Sequence, residues 1–268
     1  MVNPIIIKFG GSLLEDKTTR DVFLRQLAAE WTIQQEIKTR SKIILVHGGG
    51  KKISSAIESR GIKPTFKEGR RITDEETMLV VEQVLRDINQ DIVKQLEKEG
   101  AQVWGGCGKS SGLMRARLLT ELGQVGGLPT IINKAALSKM LEAIELPVFY
   151  SVALGPSDET LNMNADDFAQ ELAIACGAEH LIFMTDTGGI KDKAGELLDF
   201  MTPHDVEALI TKGAITGGMV VKARACVDAL RRGVHKVTIA HEVDGLGSES
   251  TPRALGTSFL LSTVSKKE

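Results

Sequence analysis

Short apolar runs rich in β-branched residues alternate along the chain with longer stretches in which apolar residues recur every three or four positions. Residues 5–7 and 43–46 read as strands, and between them Phe23, Leu24, Leu27 and Trp31 fall on one helical face. Thr73-Asp74-Glu75-Glu76 fits a capping box, with Thr73 as the cap and Glu76 three residues on. Met78, Val81, Leu85, Ile88, Ile92 and Leu96 follow at steps of three and four, an amphipathic helix of about six turns at roughly 3.6 residues per turn. Further strands are predicted over 148–152, 181–184 and 237–240, with 258–261 as an edge strand. Apolar strands separated by helices predict an α/β fold on a mainly parallel sheet covered on both faces. Ligands of such sheets gather at the carboxyl ends of the strands, where Gly10-Gly11, Gly48-Gly49-Gly50 and Asp186-Thr187-Gly188-Gly189 all stand. The glycine-rich stretch 100–127 is expected to hold a hairpin that folds over a ligand, and 265–268 a frayed tail. No linker divides the chain; 175–177 is the predicted boundary between two lobes.

Composition narrows the classes of function. With 268 residues, 42% of them hydrophobic, the chain can build one large core. The net charge of −2, the 4% aromatic content and the lack of any basic block interleaved with aromatics argue against a nucleic-acid partner. Cys107, Cys176 and Cys226 are widely spaced and odd in number, which fits a reduced protein rather than a disulfide framework or a structural zinc site. No segment reaches the roughly 20 apolar residues of a membrane helix, and no secretory leader is read at the start, so a soluble cytoplasmic protein without a membrane partner is expected.

Two distant lysines each accompany a glycine pair: Lys8 in Lys8-Phe9-Gly10-Gly11-Ser12, and Lys222 in Gly217-Gly218-Met219-Val220-Val221-Lys222. A cation beside backbone amides with no side chain in the way suits a phosphoryl group, whose transfer needs positioning and charge neutralisation. Read singly, Lys8 is equally a strand-end lysine reaching for water. The Gly48-Gly49-Gly50 run after a buried strand points to close approach of a ligand, with a flexible turn as the alternative. His47 beside it reads as structural more readily than catalytic. Arg70 and Arg71 could fork onto a carboxylate or form a solvated basic corner. Asn162 and Asn164 share one side of an extended segment, and Asp166 stands at a helix start, where it could cap the helix, aim both lysines, or both. Gly105-Gly106-Cys107-Gly108-Lys109-Ser110 misses the phosphate-loop pattern because residue 103 is Val103; Lys109 is left to touch a nucleotide or close a loop.

Taken in order, these segments resemble the motifs of the amino acid kinase family nearly end to end. To those already quoted the resemblance adds His47 with its glycines, Gly69-Arg70-Arg71-Ile72-Thr73-Asp74, Leu122-Gly123-Gln124-Val125-Gly126, Thr185-Asp186-Thr187-Gly188-Gly189 and Gly256-Thr257. Arg71-Ile72-Thr73-Asp74 and the run from Asn162 to Asp166 narrow it to the branch that acts on N-acetyl-L-glutamate. The resemblance implies a three-layer αβα sandwich around a mostly parallel sheet of about eight strands. It implies that ATP, with Mg²⁺, phosphorylates the side-chain carboxylate of N-acetyl-L-glutamate to an acyl phosphate in arginine biosynthesis. Residues 1–175 would bind the acyl amino acid and dimerise, and 176–268 would bind ATP. Lys8 and Lys222 would stabilise the transferring phosphoryl group, with Asp166 orienting them. Amides at Gly10, Gly11, Gly48 and Gly49 would hold the phosphoryl group or the substrate, and Arg71 and Asn162 the α-carboxylate and its surroundings. Thr185, Asp186 and Gly189, with Gly217, Gly218 and Met219, would frame the nucleotide. No protein ligand to a metal is implied.

Some positions depart from the family's pattern. Lys51-Lys52 follow the triple glycine where proline is common, and Gly108-Lys109-Ser110-Ser111 lacks the usual acid. Residues 146–151 also differ from the common substrate-side sequence. Carrier-linked aminoadipate or glutamate, or UMP, therefore stand as alternative substrates, and a catalytically silent sensor as an alternative class. Lys8 stands almost at the start, without room for the extra helix of arginine-inhibited hexameric relatives, so a homodimer lacking that switch is expected. Its interface would use the stripe from Met78 to Leu96, unless that stripe is core.

Overall fold

The computed structural model describes residues 3–36, 42–144, 146–192, 194–244 and 253–261; the predicted tail at 265–268 lies outside the described residues. Strand β1 (Ile5–Phe9) leads through the short α1 (Ser12–Glu15) into α2 (Lys17–Glu36), and β2 (Ile43–His47) into α3 (Gly50–Glu58). A small hairpin, β3 (Phe66–Lys67) and β4 (Arg70–Arg71), precedes the long α4 (Glu75–Lys98). Next come β5 (Val103–Cys107), β6 (Met114–Leu118), β7 (Val125–Ile132), α5 (Lys134–Ala143), β8 (Leu146–Tyr150), β9 (Val152–Leu154), β10 (Thr160–Met163) and α6 (Ala165–Cys176). The chain continues with β11 (His180–Met184), β12 (Phe200–Met201), α7 (Pro203–Thr211), α8 (Gly218–Arg231), β13 (Lys236–Asp244) and β14 (Arg253–Phe259).

Among the described residues the main sheet has eight strands in the order β12-β14-β13-β11-β1-β2-β8-β5, parallel throughout except between β13 and β14. Side-chain alternation along β1 and β2 feeds two cores. Ile5, Ile7 and Leu45 pack with Leu24 and Leu27 of α2 and Ile88, Ile92 and Leu96 of α4. Ile6, Ile44 and Val46 pack on the other face with Phe168 and Leu172 of α6 and Cys226 and Leu230 of α8. The result is the α/β sandwich with helices on both faces that the strand-and-helix pattern predicted. β6, β7, β9 and β10 close into a separate four-stranded barrel beside the sheet.

Four expectations need correction. Residues 258–261 are not the sheet edge: β14 lies inside, with β12 paired along its outer side. Asp74, not Thr73, caps α4 by accepting from the Thr77 amide, while the fully buried Thr73 hydroxyl donates to the Arg71 carbonyl. The glycines at 105 and 106 belong to strand β5, and the hairpin predicted within 100–127 is made by β6 and β7, which runs on to Ile132. The stripe from Met78 to Leu96 is core, not interface: Val81, Leu85, Ile92 and Leu96 are fully buried.

Candidate active site

The carboxyl ends of β1, β2 and β10 meet in one cleft, and the three charged groups singled out from the sequence meet there too. Lys8, next to last in β1, has its Nζ 2.8 Å from Oδ1 of Asp166. Lys222, in the second turn of α8, brings its Nζ to 3.4 Å from Oδ2 of the same carboxylate. The two ammonium groups thus arrive from opposite ends of the sequence on one anion. Burial alone would push the Asp166 carboxyl up; Lys8 and Lys222 outweigh it and hold the group below the ordinary carboxylate range.

Local chemistry explains this placement. Asn164 caps α6, its Oδ1 accepting from the amides of Asp166 and Asp167 at 2.8 and 3.3 Å. The capping role considered for Asp166 therefore falls to Asn164, and Asp166 is left to the lysines. Gly10 leaves room for Lys8: a Cβ there would lie 3.1 Å from its Nζ. At Gly49 a Cβ would meet Ile88 at 3.0 Å and Ile53 and Leu85 at 3.2 Å, so the loop after β2 lies tight against α4. Gly49 also starts α3 without a side-chain cap, so amides at the helix start face the cleft.

His47 is structural. It is fully buried, its Nδ1 lies 3.0 Å from the Gly48 carbonyl, and its Nε2 lies 3.1 Å from Asn89 Nδ2. Asn89 can only donate from that nitrogen, so Nε2 accepts and Nδ1–H donates to Gly48. Burial pushes the imidazole down to about 4, which keeps this neutral form and anchors the glycine loop. Lys109 is likewise structural, its Nζ 2.9 Å from both Glu82 Oε1 and Thr160 Oγ1, where it closes a loop.

A cavity of ≈ 250 Å³ opens beside Lys8 and Asp166. Gly10, Gly11, Gly48, Gly49, Arg71 and Asn162 line it, all six residues selected for this side of the site. Arg71 donates from Nη2 to the Gly50 carbonyl at 3.0 Å and to Ser54 Oγ at 2.9 Å, and its guanidinium sits 4.6 Å from the centre of the Phe66 ring. Its Nη1 is buried and finds no partner among the described residues. Arg71 lines the cavity, and a guanidinium in that position suits a carboxylate. Asn162 donates from Nδ2 to Thr73 Oγ1 at 3.2 Å, which fixes its amide over the same space.

A second cavity, ≈ 420 Å³, lies between the loop after β11 and the start of α8. Asp186, Gly189 and Met219 line it; Thr185, Gly217 and Gly218 do not, although Thr185 opens the loop and Gly217 caps α8. Thr257, quoted only as part of a terminal motif, shapes this loop. Its buried hydroxyl accepts from the Ile190 amide at 2.8 Å and donates to the Ile190 carbonyl at 3.3 Å. A Cβ at Gly256 would lie 1.9 Å from the Ile239 carbonyl, so only glycine fits there. A paired clamp missed at the sequence level ties α6 to α8. Glu171 takes both terminal nitrogens of Arg232, and Asp228 accepts from Gln170 at 2.8 Å and from Arg232 at 3.2 Å. The clamp spans the helices that carry Asp166 and Lys222. Its residues look like ordinary surface charges when read in one dimension.

Two cations on a shared carboxylate, glycine amides at a helix start and two cavities, one lined by Lys8 and Asp166 and one at the start of α8, can hold a donor and an acceptor around one migrating anionic group. The chain's similarities agree. Residues 3–241 match the amino acid kinase family. The acetylglutamate kinase of Prochlorococcus marinus is 39% identical, over 94% of this chain and 80% of its own. That of Methylobacterium nodulans is 36% identical, over 88% of this chain and 80% of its own. Among solved structures, smu.665 from Streptococcus mutans superposes with a TM-score of 0.78 at 26% identity, covering 98% of this chain and 100% of that one. By its sequence match and its fold, this chain belongs to the amino acid kinase family.

Proposed function

We propose that this chain transfers the γ-phosphoryl group of ATP to the side-chain carboxylate of N-acetyl-L-glutamate, forming an acyl phosphate and ADP in arginine biosynthesis. The observation that carries the reading is the meeting of Lys8 and Lys222 on Asp166, at 2.8 and 3.4 Å, beside a cavity lined by Arg71, Asn162 and the glycines after β1 and β2. The relatives named acetylglutamate kinase support the choice of acceptor. In this reading residues 1–175 hold the acyl amino acid and 176–268 hold ATP. Arg71 and Asn162 grip the α-carboxylate and its surroundings. Asp186, Gly189 and Met219, with Thr185, Gly217 and Gly218 behind them, frame the nucleotide.

The mechanism needs no general base, because the attacking carboxylate is already ionised at neutral pH. One of its oxygens bonds to the γ-phosphorus as the bond to the β-phosphate oxygen breaks, and ADP leaves with that electron pair. Lys8 and the amides of Gly10, Gly11, Gly48 and Gly49 meet the phosphoryl oxygens from the acceptor side, and Lys222 from the nucleotide side. Asp166 keeps both ammonium groups apart and aimed, so alignment and charge neutralisation supply the rate. No protein residue is assigned to Mg²⁺; carried by ATP, it would help neutralise the charge on the phosphates.

Two further readings follow from this one. The chain works in the cytoplasm, where ATP is the donor; among the described residues no helix is long and apolar enough to cross a membrane. It works as a homodimer, supported by the outer edge of β5, which no strand covers among the described residues. Sedimentation at micromolar concentration tests that: a monomer would remove it. The activity is tested by trapping acyl phosphate as hydroxamate with ATP and N-acetylglutamate, glutamate, aspartate or aminoadipate, and by following ADP release with UMP. Turnover of N-acetylglutamate well above the others is expected; preference for another acceptor would replace the substrate, and no turnover at all would favour a silent sensor.

A further inference from the structure

Arg70 stands beside Arg71 in the wall of the acceptor cavity, yet the mechanism above gives it nothing to do. Its surroundings do. The β3–β4 hairpin has only two residues in each strand, and Phe66 at its near end is 56% exposed although it lines the cavity and covers Arg71. Glu68 and Gly69 turn it with φ of 52° and 76°. A ladder this short does not hold itself in water, so its position over the cavity depends on what ties it to the body. Arg71 ties the hairpin to α3 through the Gly50 carbonyl and Ser54, and Arg70 ties it to α6: it donates from Nη2 to Asp167 Oδ2, and from Nη1 to the Gly126 carbonyl at 3.3 Å. Both partners of the ion pair are about three-quarters covered, their side chains 25% and 26% exposed, so water screens it less than a surface pair.

The anchor is also well placed. Asp167 follows Asp166 directly, and the amides of both residues rest on the same Asn164 side chain. The helix turn that fixes the lysine-bridging carboxylate therefore also fixes the end of the hairpin. From this juxtaposition we infer that the Arg70–Asp167 ion pair is a latch. It holds the hairpin closed over the acceptor cavity, so that Phe66 and Arg71 are in position before the acyl amino acid binds. Arg70 and Asp167 are positioning residues that act through Arg71 and Phe66. The inference deepens the proposed function and rests on it for its substrate readout only.

A double-mutant cycle with Arg70→Gln, Asp167→Asn and the pair together tests it, with Asp167→Glu as the charge-preserving control. Each single change is expected to raise KM for N-acetylglutamate about tenfold, with KM for ATP within about twofold, and the double variant should be no worse than the worse single. Asp167→Glu should restore most of the affinity. In the substrate-free protein, backbone amides of 66–71 should exchange with deuterium faster in each single variant and at the wild-type rate in other exposed loops. Unchanged exchange at 66–71, or single effects that add in the double variant, would overturn the latch. A KM defect in Arg70→Gln with none in Asp167→Asn would overturn it too, by making Arg70 a direct substrate contact. If the wild-type chain turned over no N-acetylglutamate, the proposed function would fail while the exchange measurement still decided the latch.

Discussion

Lys8, Lys222 and Asp166 carry the account at the scale of single residues. Lys8→Ala and Lys222→Ala should each lower kcat about 10²–10³-fold, the range seen when one preorganised charge partner is removed, roughly 2.7–4 kcal/mol of barrier. Steady-state kinetics with intact secondary structure checks this; wild-type rates in either variant would remove that lysine from the mechanism. Arg71→Ala should instead raise KM for the acyl amino acid with a smaller effect on kcat, because Arg71 lines the acceptor cavity. A selective loss of ATP affinity would put Arg71 on the wrong side. These residues were legible in the sequence because each broke a pattern: a lysine ending an apolar strand, glycines where a strand should turn, paired amides before a helix. Their partners were less legible. Asn164 and Asp166 both suit a helix start, and only the backbone geometry at α6 assigns the cap to Asn164. Arg70 looked interchangeable with Arg71 until Asp167, 97 positions away, was seen to hold it.

Among the elements, α6 and α8 matter most, since their separation sets how far Lys222 must reach. Glu171 is only 5% exposed and its carboxylate grips both terminal nitrogens of Arg232, which fastens one helix to the other beyond the reacting groups. Glu171→Gln keeps the shape and removes the charge, leaving Arg232 short of its main partner. Urea unfolding should show a loss of about 3 kcal/mol, the lower end for a broken buried pair because Arg232 is partly exposed. A loss below about 1 kcal/mol would mean that the clamp does not join the helices. The long helices were readable from periodicity, since each buries one continuous face, and the central strands from unbroken apolar runs, since both their faces are buried. The barrel was not: β6, β7 and β10 mix polar residues, glycines or a proline with apolar ones and lack the unbroken apolar runs that marked the central strands. The start of α4 was misjudged by one residue because Thr73 and Asp74 are both good caps, and burial of Thr73 against Arg71 decided between them.

For the molecule as a whole, two histidines make stability depend on pH. His47 and His180 are fully buried and neutral, with burial pushing them down to about 4 and about 3. His180 Nε2 lies 2.7 Å from Thr238 Oγ1 inside the sheet, where a charged ring would find no counterion. The unfolded chain takes up protons on both below its ordinary value of 6.5 while the folded chain does not. Stability is therefore full above that value and declines as pH falls toward 4, by about 1.4 kcal/mol per histidine per pH unit. Urea unfolding at pH 7.5 and pH 5 should differ by roughly 3–4 kcal/mol on that basis; equal stability would show that neither ring is held neutral by the fold. The central claim is that two ammonium groups from distant parts of the chain close around one migrating phosphoryl group. A crystal structure with MgADP, tetrafluoroaluminate and N-acetyl-L-glutamate reads it most directly. Both Nζ atoms, of Lys8 and Lys222, should lie within hydrogen-bond distance of the fluoroaluminate while Asp166 still touches each; either one turned into a separate cavity would contradict the account.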